Sequence, residues 1–167
     1  MITLDDYFMG RDKDSRYAGL VTHELIANAQ QTVIRANRML SEFYAELPAA
    51  RRRKVSSGWR PPTVNEALQK IGAAPNSPHI TCEAVDIEDF DAPDDGDDAN
   101  DLAVWCLNNV GILESSGLWM EDPRCTPSWV HWQTRPPKSG RRFFIPDKNW
   151  ANRLAGRPLT TASLEMA

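Results

Sequence analysis

Ser77-Pro78-His79-Ile80-Thr81-Cys82-Glu83-Ala84-Val85-Asp86 is the stretch on which the reading of this chain turns, taken together with Trp129-Val130-His131 further along. A catalytic zinc takes three protein ligands from His, Asp or Glu and leaves its fourth position to water. His79, Asp86 and His131 can supply such a set. The step from His79 to Asp86 is seven residues (86 − 79), which exceeds the spacing of helix neighbours and is odd for one face of a strand, so a loop must intervene. His79 is therefore expected in a turn after Pro75-Asn76-Ser77-Pro78, Asp86 in a strand beginning at Ala84, and His131 in the strand-forming run Trp129-Val130-His131-Trp132-Gln133. By themselves a His, an Asp and a distant His also read as ordinary polar strand residues.

The surroundings narrow that choice. Ser56-Ser57-Gly58-Trp59-Arg60-Pro61-Pro62, then Asn65, then Ser77-x-His79 to Ala84-x-Asp86, then Trp129-x-His131 resembles the ordered motifs of zinc-dependent D-Ala-D-Ala carboxypeptidases and L-alanyl-D-glutamate peptidases. These act on peptidoglycan, and many related domains are encoded by bacteriophages. The resemblance spans residues 55–135. It implies an α+β Hedgehog/DD-peptidase-like fold with the metal on one face of a small antiparallel sheet. It also implies Zn2+ held by His79, Asp86 and His131, and Arg60 as the substrate-binding and oxyanion-stabilising arginine. Ser77 and Trp129 are expected to contact substrate, and Trp59, Trp119, Trp129 and Trp132 are candidates to wall the cleft or to fill the core.

Two positions depart from the family pattern. Cys82 stands where the family has glycine between the first histidine and the aspartate. Ser128 stands three residues before the last histidine, where the family has its Asp or Glu general base, and a serine hydroxyl does not take a proton from water at neutral pH. Strand geometry offers a substitute. If residues 118–121 and 129–131 pair as a hairpin centred near Cys125, Glu121 faces Trp129 and Trp119 faces His131, which puts Glu121 on the His131 face. A slip of one residue would turn it away, and a solvated edge-strand glutamate is the other reading.

At 167 residues the chain is long enough for one domain with a core. Its 41% hydrophobic and 25% charged residues are those of a globular protein. A net charge of −4 excludes the global basic field of nonspecific nucleic-acid binders. The run Arg51-Arg52-Arg53-Lys54 reads as a solvated helix end or interaction patch. No stretch reaches the length of about twenty apolar residues that crosses a membrane, and the acidic N-terminus lacks the order of a secretory signal. Three cysteines without C-x-x-C spacing indicate neither a disulfide framework nor a thiolate zinc knuckle. Cys82, between two candidate ligands, is either a packed thiol or a soft group near the metal.

Along the chain, residues 1–20 read as an N-terminal extension, 21–156 as the peptidase-like domain and 157–167 as a tail. Thr22 caps a long helix through Ala45, whose apolar residues recur at three- and four-residue steps, with His23 on its surface. Residues 54–59 are strand-like, and Pro61-Pro62 opens a helix through Ile71. The acidic run of residues 88–98 reads as a solvated loop and helix start, because it lacks the register of a calcium loop. A second core helix follows over 101–113, then a closing strand over 141–146 and a short helix capped by Asp147. The expected function is a zinc metallopeptidase acting on peptidoglycan stem peptides, phage-encoded, carried in a virion or held in the host cytoplasm before release to the cell wall. Phage virion or tail proteins are candidate partners, and neither nucleic acid nor membrane insertion is expected. The alternative, from a different class, is a noncatalytic virion component that keeps the fold for structure or wall binding.

Overall fold

The computed structural model describes residues 1–70, 72–89 and 101–157. Helix α1 is Leu4–Phe8, closed at its start by a reciprocal box in which the Thr3 hydroxyl accepts from the Asp6 amide and the Asp6 carboxylate accepts from the Thr3 amide. Helix α2 is His23–Glu46, with the Thr22 hydroxyl accepting from the Leu25 amide. Its inward stripe Ala29, Val33, Ala36, Met39, Leu40 and Phe43 is buried and packs on the sheet. Helix α3 is Pro62–Gln69, with proline at its first turn.

The helix expected over residues 101–113 is two helices, α4 Asp101–Asn108 and α5 Val110–Ser115. They break at Asn109, whose side-chain amide donates to the Trp105 carbonyl at 3.1 Å, so a side chain competes with the backbone ladder there. A further helix, α6 Lys148–Arg153, starts at Asp147, whose carboxylate accepts from the amides of Asn149 and Trp150.

Among the described residues, five strands form one sheet in the order β1-β2-β4-β3-β5: β1 Val55–Ser57, β2 Ala84–Glu88, β3 Trp119–Glu121, β4 Trp129–Gln133 and β5 Phe143–Phe144. The sheet is mixed, which corrects the purely antiparallel expectation: β1, β2, β4 and β3 pair antiparallel, but β5 runs parallel to β3. Pro136 and Pro137 end pairing after β4, and a turn at Gly140, with φ +67°, returns the chain past β3 to its outer edge. Arriving there in the opposite direction to β4, it must run with β3.

Alternation divides the sheet. Val85, Ile87, Met120, Val130 and Trp132 form the buried face against α2, α4 and α1. Residues 84, 86 and 88, 119 and 121, and 129, 131 and 133 share the other face. Tyr7 and Phe8 of α1 are buried in the same core, and the Tyr7 hydroxyl donates to the Ala84 carbonyl at 2.9 Å. Among the described residues, no helix is long and apolar enough to cross a membrane. The acidic run from residue 90 to 100 and the tail beyond residue 157 lie outside the described residues.

The basic run is structural in part. Arg53 is buried, within 3.7 Å of Asp89 and 3.8 Å of Asp101. Arg52 lies over the Tyr44 ring, and Arg51 is 3.6 Å from Glu88.

Candidate metal centre

The site is a row across the sheet. Ser57 on β1 stands opposite Asp86 on β2, and Asp86 opposite His131 on β4. On β3, Trp119 pairs with Gln133 and Met120 with Trp132, a register that continues to Glu121 opposite His131. Glu121 in turn pairs with Phe144 on β5, whose ring lies 6.3 Å from that of His131. The hairpin is thus centred on Thr126, two residues off the expected pairing, and a slip of two keeps every side chain on its face. The turn Pro123–Cys125, capped by the Asp122 carboxylate, sets this register, because the Asp122 amide also bonds the Phe144 carbonyl at 2.8 Å.

His79 reaches the row from the loop before β2. Asn65 on α3 donates to the Ala74 carbonyl at 3.0 Å, which also accepts from the Ser77 amide, and the Arg60 amide bonds the His79 carbonyl. Ser77 is buried, its hydroxyl accepting from the His79 amide at 3.4 Å; here it braces the turn. The His79 ring comes to rest with Nε2 3.2 Å from Asp86 Oδ1 and 3.3 Å from His131 Nδ1, while His131 Nδ1 is 2.7 Å from the same oxygen. The three donor atoms lie within 4.8 Å of one another, and all three residues are buried.

The other nitrogen of each ring is engaged. His79 Nδ1 is 2.8 Å from the Gly58 carbonyl, which can only accept, so Nδ1 carries the proton and Nε2 presents its lone pair inward. His131 Nε2 lies 3.3 Å from Gln133 Oε1, and Gln133 is itself held by donating to the Arg135 carbonyl. Outer partners that settle the tautomer in this way are a regular feature of metal-binding histidines. The donor set, two imidazoles and one carboxylate with their inward atoms converging, fits a zinc-like cation in an open site.

The electrostatics of the three side chains follow from burial and close pairing. Burial pushes His79 below the ordinary histidine range and outweighs the pull of Asp86, so it is ready to ligate as the neutral ring. Burial also opposes charge on His131, but its bond to Asp86 prevails and raises it. Burial would raise Asp86 too, yet the two histidines hold it well below the carboxylate range. Glu121, whose surface still reaches solvent, is pushed up to about 7 by burial, with His131 acting against that rise.

The sequence profile of the Peptidase M15 family matches residues 17–117, more than half of the chain. The chain belongs to the Peptidase M15 family. Comparison with curated proteins and with solved structures gives no match. M15 membership makes the chain metallopeptidase-like, and within the matched span lie Arg60, His79 and Asp86. His131 lies beyond it and is brought beside Asp86 by the β2–β4 pairing.

The other expected site residues fall as follows. Arg60 lies beside the His79, Asp86 and His131 cluster, its Nη2 2.5 Å from Asp86 Oδ2 and its Nε donating to Ser57 Oγ at 2.8 Å. Trp129 and Trp119 are partly exposed on that face, whereas Trp59 and Trp132 are buried in the core. Ser128 precedes β4, and its carbonyl accepts from the Asp89 amide at 3.1 Å. Burial pushes the Cys82 thiol up to about 12, which makes it a packed thiol and no thiolate at neutral pH. Gly58 and Gln133 had no role in the sequence reading. Gln133 was visible in outline, since it alternates with Trp129 and His131 along one strand; the Gly58 carbonyl leaves no side-chain signal.

Proposed function

We propose that this M15 chain is a zinc-dependent peptidase that hydrolyses peptidoglycan stem peptides. The observation that carries the reading is the convergence of His79 Nε2, Asp86 Oδ1 and His131 Nδ1, each histidine with its outer nitrogen already engaged. A zinc ion there would polarise the scissile carbonyl and lower the pKa of a bound water. Arg60 would use the guanidinium edge not engaged by Ser57 and Asp86 to hold a developing oxyanion or a substrate carboxylate. Glu121, across the β3–β4 pair from His131, would take the proton of the attacking water and return it to the leaving amine, replacing the carboxylate that Ser128 lacks. Trp119 and Trp129 would wall the cleft on either side of this row. A phage-encoded enzyme, delivered by a particle or released at lysis, suits a substrate that lies outside the cytoplasm.

General-base assistance is worth roughly 10²–10⁴-fold. The test is hydrolysis of peptidoglycan fragments by wild type, Glu121→Gln and Ser128→Glu, with zinc content measured for each. Cleavage by wild type that falls by about that factor in Glu121→Gln, at unchanged zinc, supports the assignment. Full activity in Glu121→Gln removes Glu121 as the base. Ser128 favours a second reading, a noncatalytic virion component. An inert wild type, with cleavage gained by Ser128→Glu, would establish it.

A further inference from the structure

Asp86 divides its two oxygens between different partners. Oδ1 faces both histidines, at 2.7 and 3.2 Å, while Oδ2 accepts from Arg60 Nη2. The guanidinium is itself anchored, because Nε donates to the hydroxyl of Ser57, the residue directly across the β1–β2 pair from Asp86. Both side chains of this pair are largely shielded, Arg60 at 15% and Asp86 at 6% exposure. Charge-assisted bonds from a planar fork are strong and directional, and Pro61 restricts the backbone of Arg60 to extended conformations.

A carboxylate can bind a cation through one oxygen or through both. With two histidines beside it, the two-oxygen mode would fill the position that a hydrolytic site must leave to water and substrate. We propose that Ser57 and Arg60 form a clamp on Oδ2 that keeps Asp86 a one-oxygen ligand and so keeps the reactive coordination position open. Arg60 and Ser57 are in this respect positioning residues, acting through Asp86. The proposal rests on the metal-site reading above and adds to it what holds the ligand in its mode.

The test uses cobalt(II), whose visible absorption is several-fold more intense in four-coordinate than in five- or six-coordinate sites. The intact chain, freed of metal, is titrated with cobalt(II) as wild type, Ser57→Ala, Arg60→Gln and Arg60→Lys. Wild type should take up one ion per chain with an intense band. Arg60→Gln should bind one ion with a several-fold weaker band, because the released Oδ2 joins the metal. Ser57→Ala should show a smaller loss, and Arg60→Lys should recover part of the wild-type intensity by returning a cation to Oδ2. Ser57→Ala removes one hydroxyl from a partly exposed strand residue, so it answers the question even if circular dichroism shows Arg60→Gln unfolded. Wild-type spectra in both Ser57→Ala and Arg60→Gln would overturn the clamp while leaving the metal site standing. A wild type that takes up no cobalt would overturn both.

Discussion

Gly58→Ala should damage the fold and the metal site together, and the structure says by what route. A Cβ at position 58 would lie 1.8 Å from the Tyr7 carbonyl oxygen, 2.7 Å from its carbon and 3.1 Å from the Tyr7 Cα. All three are backbone atoms, so no rotamer change relieves the overlap. Reaching ordinary contact requires α1 and residues 58–60 to separate by roughly 1.5 Å, in a core packed as densely as an organic crystal. That movement breaks the bond from the Trp59 amide to the Tyr7 carbonyl, 3.3 Å, and shifts the Gly58 carbonyl away from His79 Nδ1, now 2.8 Å.

Overpacking of this kind costs about 1–3 kcal/mol, and loss of an outer partner to a ligating histidine typically weakens metal binding about 10–100-fold. The assay is urea unfolding followed by tryptophan fluorescence, paired with zinc competition against a chromophoric chelator. Gly111→Ala serves as the contrast: Gly111 lies inside α5 with nothing within 4 Å of a built Cβ, so it should gain about 0.5–1 kcal/mol. A Gly58→Ala protein with wild-type stability and zinc affinity would refute the reasoning, because the close approach would then position nothing.

Cys82 has φ +59° and is fully buried, a left-handed conformation that costs a non-glycine residue about 1–2 kcal/mol. Cys82→Ala keeps that strain and loses the thiol, while Cys82→Gly loses the thiol and the strain. Unfolding should therefore rank Cys82→Gly above Cys82→Ala by about 1 kcal/mol, the reverse of the usual order. Asp89 is fully buried and accepts from the amides of Leu102 and Ala103 at the start of α4, yet burial raises it to about 6. An acid whose folded pKa lies above its unfolded value of 3.8 binds its proton more tightly when folded. Its contribution is favourable below pH 4 and is lost as pH rises to 6, by about 3 kcal/mol. Urea unfolding across pH 4–7 should show this decline in wild type and a flatter profile in Asp89→Asn; parallel profiles would remove Asp89 as the cause.

Much of this was legible in the sequence because the relevant signals are local. Thr22 and Asp147 cap their helices as their residue types require, and the apolar steps of α2 report its inward stripe. The strand-favouring residues around Asp86 and His131 placed both on strands. What the sequence withheld depends on pairing between distant segments. α1 is five residues long and too short for a periodic signal; it is held by Tyr7 reaching Ala84 and by the close approach of Gly58. The parallel placement of β5 follows from how the chain returns after Pro136-Pro137, which no local pattern encodes. The hairpin register was two residues off because the Pro123–Cys125 turn and the Asp122 bond to Phe144 consume chain differently from a simple loop.

The glycine that the resemblance implies at position 82 has a physical reason, since the turn from His79 into β2 places Cys82 at φ +59°, the left-handed region. The same turn explains why the seven-residue step between two ligands works at all. His79 comes from a braced loop before β2, while Asp86 and His131 rise from paired positions within the sheet, so two of the candidate ligands share a strand register and the third reaches them from the loop. A base placed three residues before His131 would sit at Ser128, off the end of β4, and would have to reach back to the metal. Glu121 needs no such reach. It occupies the next position of the same transverse row, on the strand beyond His131, as Ser57 does on the strand beyond Asp86. On the proposed function, the row would supply an Asp86-holding group at one end and a proton acceptor at the other, with the metal-binding side chains between them. The proposed exchange of the base from β4 to β3 would require only that the register hold, and the register is held by core pairs such as Met120 with Trp132 on the opposite face.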